Sequence, residues 1–301
     1  MIWTVAALAA LVLMGFAGLQ FAIARNGPAV LDTVDRITGT QRKVALVEQA
    51  AYGPAGQQKI RVLRPSGKAG PLPVVIFVHG GSWNAGSPDD YSFIARALAP
   101  EGFVVVLAGY RLHPDAVFPA MLEDTAAAVA WTRDNIARHG GDPDHIVLMG
   151  HSAGAYNAVM TALDRQWLGR EGQSADALAG VIGLAGPYDF YPFDSDSTRA
   201  SFGAAPDPTV TQPVRFARAD APPLLLLTGE ADTTVKPRNT RALAQAVEQA
   251  GGQVQTGFYP AMDHADILIG LASPWRRDRT VLDRVIAFAR EPSVPVQAQL
   301  R

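Results

Sequence analysis

Ile146-Val147-Leu148-Met149 runs directly into Gly150-His151-Ser152-Ala153-Gly154, and that pentapeptide into Ala155-Tyr156-Asn157-Ala158-Val159-Met160-Thr161-Ala162-Leu163. The first four residues are apolar without alternation, as a strand buried on both faces should be. The last stretch is small and apolar and suits a helix packed close to that strand. Between them, Gly-x-Ser-x-Gly makes a sharp turn that projects the Ser152 hydroxyl clear of the backbone. Side chains at the flanking positions would collide with so tight a turn, so glycine is expected there. In isolation the same residues would also fit a glycine-lined helix start with Ser152 as its N-cap. The neighbouring segments decide between the two.

Working outward, the same alternation repeats. Towards the N-terminus lie Lys59-Ile60-Arg61-Val62-Leu63, Pro73-Val74-Val75-Ile76-Phe77-Val78 and a strand over 103–107, with helices expected over 91–99 and 121–139. Towards the C-terminus, strands are expected over 180–184, 224–227 and 254–259, with helices over 239–250 and 280–289. Apolar strands alternating with helices predict an α/β fold whose parallel sheet is covered on both faces. Ligands of such sheets gather at the carboxyl ends of the strands. No internal repeat or low-complexity block interrupts the pattern.

The remaining chemistry-bearing residues sit just after those strands. His79-Gly80-Gly81-Ser82-Trp83 follows the strand over 73–78. Acyl transfer passes through a tetrahedral oxyanion that needs fixed N–H donors. Two glycines let the backbone approach closely, and the N–H groups of Gly81, Ser82 and Ala153 are the expected donors. A serine hydroxyl also needs a histidine to take its proton and a carboxylate to orient that histidine, in the chain order Ser, acid, His. His264 is the sole histidine beyond Ser152, so it is the expected base. For the acid, Glu230 and Asp232 both follow the 224–227 strand. Asp232 is preferred because the glycine turn carries it further past the strand end. Asp263 adjoins His264 and reads as a loop residue. Trp83 and His151 are expected to touch substrate, whereas His113, His139 and His145 read as loop or cap residues.

The motifs His79-Gly80-Gly81-Ser82-Trp83, Gly109-Tyr110-Arg111-Leu112, Phe118-Pro119-Ala120, Glu123-Asp124, Gly141-Asp142-Pro143 and Gly150-His151-Ser152-Ala153-Gly154 together resemble α/β-hydrolase esterases. The nearest groups are the hormone-sensitive-lipase-like carboxylesterases and the bacterial esterase and kynurenine-formamidase branch. The resemblance spans roughly 52–290. It implies an α/β-hydrolase fold with a mostly parallel eight-stranded sheet, and it supports Asp232 and His264 as partners of Ser152. Two departures bear on substrate rather than reaction type. Ser82 stands where the lipase-like branch has a third glycine, and a long N-terminal helical cap is missing unless 25–50 supplies a reduced one.

Composition bounds the alternatives. With 48% hydrophobic and 18% charged residues the chain is globular in character. Its 26 basic and 28 acidic residues form no basic stripe, so nucleic acid is not an expected partner. The absence of cysteine rules out disulfides and thiol chemistry. Residues 1–24 carry no charged side chain before Arg25. About 20 helical residues cross the roughly 30 Å apolar core of a bilayer, so membrane association through this segment is expected. Ala22-Ile23-Ala24 has the small-x-small form of a cleavage site, which would make the domain secreted or periplasmic. Against cleavage, no basic residue precedes the run, and a retained anchor is the favoured reading. The expected organisation is a hydrophobic segment over 1–24, a stalk or short cap over 25–50, the hydrolase domain over 51–292 and a C-terminal tail over 293–301.

The expectation is therefore a carboxylesterase acting on small-molecule esters of short acyl or small aromatic type, with no cofactor or metal. An aryl formamidase is the alternative reading, and a tethered binding protein with the fold but no catalysis is a third.

Overall fold

The computed structural model describes residues 2–39, 44–68 and 70–291, with side chains of the first helix described at 15 and from 17 onward. The expected tail over 293–301 and much of the 1–24 segment lie outside the described side chains. Among the described residues, the chain runs α1 (Ile2–Thr38), β1 (Val44–Ala51), β2 (Lys59–Pro65), β3 (Leu72–Val78), α2 (Ser92–Leu98), β4 (Val104–Ala108), α3 (Ala120–Asn135) and β5 (Gly141–His151). It continues through α4 (Ala153–Leu163), α5 (Gln166–Arg170), β6 (Gly180–Leu184), α6 (Asp196–Phe202), β7 (Leu224–Gly229), α7 (Arg238–Gln249), β8 (Val254–Tyr259), α8 (Asp266–Ile269) and α9 (Thr280–Arg290).

The strands form one sheet in the order β1-β2-β4-β3-β5-β6-β7-β8. From β4 to β8 every pairing is parallel, while β2 pairs antiparallel with both β1 and β4. This is the α/β-hydrolase architecture that the sequence implies.

The unbroken apolar runs are explained by two cores. Val74, Ile76 and Val78 of β3 face a layer built from α3, α4 and α7, while Val75 and Phe77 face the opposite layer of α2, α8 and α9. Leu224 and Leu226 of β7 divide from Leu225 and Leu227 in the same way. Because successive strand residues point to opposite faces, a strand with two dry faces needs an apolar residue at every position.

The N-terminal region departs from the expectation. Of the stalk or short cap expected over 25–50, the described residues form the second half of α1 and most of β1. The helix α1 breaks at Asn26, which has non-helical backbone angles, and Pro28 follows in the next turn. The Asn26 side chain caps the second half by accepting from the Ala29 N–H at 3.1 Å. That half then docks on the domain through carboxylates. Asp35 is fully buried and accepts from Ser273 N at 2.6 Å, from Arg276 at 2.8 Å and from Arg96 Nε. Asp32 accepts from Phe93 N at 2.8 Å and from Arg96 at 2.6 Å. Next, β1 joins the sheet edge, so the sheet begins at Val44, ahead of the boundary expected at 51. Among the described residues no helix is long and apolar enough to cross a membrane.

Substituting Asp35→Ala leaves Arg96 and Arg276 without their shared buried carboxylate. Breaking such an arrangement typically costs about 3 to 5 kcal/mol, and urea unfolding should show a loss of that order. A loss under about 1 kcal/mol, the scale of an exposed ion pair, would mean that the helix merely lies against the surface.

Candidate active site

The site is built on the turn between β5 and α4. Ser152 sits at φ 54°, ψ −122°, a left-handed backbone that L-residues adopt only under constraint. The constraint is supplied on both sides. The Ser152 N–H donates to Leu184 O of β6 at 2.8 Å, and Ser152 O accepts from Ala155 and Tyr156 as α4 begins. The flanking glycines are required by proximity. A Cβ on Gly154 would stand 2.1 Å from Val78 O, and one on Gly150 would stand 2.1 Å from Gly154 O.

Sheet order then delivers the partners. β6 lies beside β5, β7 beside β6, and β8 beside β7, so the segments after β7 and β8 end on the same edge as Ser152. Asp232 follows β7 and is buried. Its Oδ1 accepts from Thr234 N at 2.9 Å and Val235 N at 2.8 Å, which leaves Oδ2 facing His264 Nδ1 at 2.7 Å. His264 Nε2 lies 2.9 Å from Ser152 Oγ. A carboxylate can only accept, so Nδ1 carries the imidazole proton and Nε2 is free to accept from the serine. Hence the structure brings Ser152, Asp232 and His264 into one hydrogen-bonded line. It separates the other acids from that line: Glu230 pairs with Arg241, and Asp263 accepts from Ala265 and Asp266 at the start of α8.

The loop after β3 lies beside the same turn because β3 pairs with β5. Gly81 (φ 117°), Ser82 (φ 52°) and Trp83 (φ 59°) are all left-handed, which turns successive N–H groups inward. Among the described residues, the N–H groups of Gly81, Ser82 and Ala153 donate to no protein acceptor. These are the three groups expected from the sequence to serve as oxyanion donors. Holding this loop are contacts the sequence did not disclose. His79 stacks between Tyr91 and Tyr110, its carbonyl accepts from the Tyr110 hydroxyl at 3.1 Å, and Trp83 O accepts from His113 N at 2.8 Å. The Arg111 and Asp124 motifs converge, with Asp124 buried and accepting from Arg111 and from Gln58 Nε2 at 2.7 Å.

Two expected substrate contacts are corrected. Trp83 is only 3% exposed: its Nε1–H donates to Asn157 Oδ1 at 3.1 Å, and its ring packs on Tyr156, Phe190 and Phe202. It is a core residue under the oxyanion loop. His151 is likewise buried and donates from Nε2 to the His264 carbonyl at 3.1 Å, so it supports the base from behind. Asn157 was not singled out by sequence, although a lone amide in a small apolar helix is a signal of a buried polar partner.

Burial sets the charge state of the two supporting histidines. It pushes His79 down to about 4 and, with His264 adding to the effect, takes His151 down to about 3. Unfolded imidazoles take up a proton near 6.5. Below that pH the unfolded chain therefore binds more protons, so this contribution is complete above about 6.5 and declines as pH falls towards about 4. Each histidine contributes a slope of up to about 1.4 kcal/mol per pH unit in that window. Urea midpoints measured from about pH 7 to about pH 5 should fall, and His151→Gln should lessen the slope. A flat profile would contradict neutral burial.

The family model described as BD-FAE matches residues 60–247 of the chain. Among curated proteins, the chain is 31% identical over 269 residues to "Esterase LipQ" of Mycobacterium tuberculosis, covering 83% of this chain and 62% of that protein. It is 26% identical over 239 residues to "Isoprenylcysteine alpha-carbonyl methylesterase ICME" of Arabidopsis thaliana, covering 72% of this chain and 56% of that protein. The chain thus spans between half and two thirds of the length of the curated relatives it matches first. Among solved structures, esterase B from Lactobacillus rhamnosis superposes with a TM-score of 0.73 at 21% identity, over 91% of this chain and 95% of that one. A truncated carbohydrate esterase from gut microbiota superposes with a TM-score of 0.71 at 18% identity, over 84% of this chain and all of that one. These likenesses show the fold, and the match over residues 60–247, from β2 into α7, shows that the chain belongs to the BD-FAE family.

Proposed function

We propose that this chain is a serine carboxylesterase that hydrolyses short acyl or small aromatic esters through an acyl-enzyme. The observation that carries the reading is the continuous line from Asp232 through His264 to Ser152 Oγ, with three free N–H donors beside it. Ser152 Oγ attacks the ester carbonyl while its proton passes to His264 Nε2. Asp232 stabilises the imidazolium that forms and keeps the ring in register. The carbonyl oxygen, now anionic, is held by Gly81, Ser82 and Ala153; one such donor is worth about 3 to 4 kcal/mol at the transition state. His264 then returns the proton to the departing alcohol. In the second half, a water attacks the acyl carbon with His264 as base, and Ser152 leaves with the proton.

The relatives named above are all called esterases, which supports an ester over an aryl formamide. The tryptophan of the His79 to Trp83 motif does not favour the amide reading, since Trp83 is buried in the core.

Acyl size is set, on this reading, by the segment over 188–218. It supplies Phe190, Phe193 and Phe202, and the latter two pack together while Phe190 and Phe202 close on Trp83 and Tyr156. Tyr156 lies one helical turn after Ser152, and that nearness of the ring cluster to the nucleophile supports the reading. We propose as well that residues 1–24 are retained and hold the protein at a membrane. The lack of charge in that run and the exposed Leu19, Phe21 and Ile23 support this.

Two outcomes are expected. Ser152→Ala should abolish hydrolysis of p-nitrophenyl acetate and butyrate while leaving the urea midpoint near that of the parent; equal turnover in both proteins would refute the nucleophile. Phe193→Ala should move the kcat/KM optimum of a p-nitrophenyl ester series towards longer acyl chains. An unchanged optimum would remove 188–218 as the determinant of acyl size.

A further inference from the structure

We infer that the N-terminal apolar segment leaves the domain at the catalytic edge of the sheet, so that the active site faces the bilayer and draws amphiphilic esters from it. The choice of substrate class rests on the esterase reading above and the presence of a bilayer on the anchor reading; the edge at which the segment leaves rests on geometry.

The exit point is Asn26, where α1 breaks. Its Nδ2 donates to Asp90 Oδ2 at 3.0 Å. Asp90 belongs to the short helical turn Pro88–Tyr91, which follows the loop bearing the Gly81 and Ser82 donors. Tyr91 at the end of that turn stacks on His79 with ring centres 5.8 Å apart. The place where the apolar segment departs is therefore tied directly to the support of the oxyanion loop.

The direction of the chain agrees. β3 ends at the catalytic edge and β4 starts at the opposite one, so α2 between them begins at the catalytic edge. Asp32 accepts from Phe93 N in the first turn of α2. Asn26 precedes Asp32 by six residues, or about 9 Å of helix, with Asp90 as its own partner ahead of α2. After α1 the chain reaches Val44, which pairs with Pro65 at the far edge, whereas Ala51 pairs with Lys59 beside the catalytic end. The second half of α1 thus runs from the catalytic edge towards the opposite one. The Asp32 and Asp35 contacts with Arg96 and Arg276 fix it there.

Both sides of that edge carry apolar surface. Leu19, Phe21 and Ile23 are exposed just before the break. Tyr191, in the segment that follows β6, is 51% exposed and packs on Phe193 of the proposed acyl wall. Tyrosine is favoured at the lipid headgroup level, where its ring is apolar and its hydroxyl wet. With the segment in lipid and Tyr191 at the interface, an ester with one chain in the bilayer reaches Ser152 without crossing bulk water. Apolar side chains at 19, 21 and 23 are offered a medium that removes them from water.

The absence of cysteine makes the test clean. Tyr191→Cys at the catalytic edge and Ser66→Cys in the exposed turn after β2, at the opposite edge, each receive an environment-sensitive fluorophore on the full chain. The labelled proteins are mixed with phosphatidylcholine vesicles, with or without nitroxide-bearing lipid. The label at 191 should shift to the blue and lose most of its emission to nitroxide, while the label at 66 keeps both. The reverse pattern, equal quenching at the two sites, or failure to float with vesicles would overturn the orientation. In parallel, an acetate ester of a long-chain alkyl fluorophore dissolved in the vesicles should be hydrolysed faster per enzyme by the full parent chain when the chain is vesicle-bound than when excess ester-free vesicles hold it apart. Equal rates would overturn delivery from the bilayer. Loss of p-nitrophenyl acetate turnover by the parent would instead strike the esterase reading and leave the label result standing.

Discussion

The left-handed backbone of Ser152 is the constraint on which the rest of the structure depends. A residue with a Cβ is held there only if its surroundings resist relaxation. The Leu184 carbonyl fixes its N–H, and α4 fixes its carbonyl. The close approach of Gly154 to Val78 locks β3 against the same turn. That contact also brings the oxyanion loop within reach of the nucleophile. One strained turn thereby couples three strands and a helix, and brings the Ser152 hydroxyl beside the loop that carries the Gly81 and Ser82 N–H groups.

Around this turn the histidines divide by burial. His79 and His151 are enclosed, neutral and used as struts: one is sandwiched between tyrosines, the other donates to the backbone of His264. His264 keeps a partly open ring facing the serine. Of the three, only His264 has a buried carboxylate on one ring nitrogen and the Ser152 hydroxyl on the other. The aromatic cluster of Trp83, Tyr156, Phe190 and Phe202 occupies the layer beneath, so the loop bearing the donors rests on packed rings.

A second polar anchor governs the N-terminal region. Asp35 is fully buried, yet each of its oxygens is met by guanidinium or backbone donors. A buried carboxylate without such partners would be strongly unfavourable. The cluster therefore gives the second half of α1 one position on the domain, where a purely apolar contact would allow several. It also makes residues 26–38 part of the folded body that carries the sheet.

What the sequence by itself determined was whatever depends on local pattern. Unbroken apolar runs between helical stretches imply a doubly covered sheet, and the turn at Gly150 to Gly154 marks the proposed nucleophile. His264 was identifiable because no other histidine follows Ser152. The tertiary structure decided what depends on distant partners. Asp232 was separated from Glu230 by which carboxylate reaches His264 and which meets Arg241. Trp83 belonged to the core because Asn157, far along the chain, accepts from its indole. β1 was not legible because an edge strand with no fully buried residue carries neither a buried run nor a clear period. The docked half of α1 was hidden for a related reason: Asp32 and Asp35 look like solvent-facing residues until Arg96 and Arg276 are brought to them. Local pattern records how each residue meets water, while long-range pairing, which can bury a charge, is settled only when the chain closes on itself.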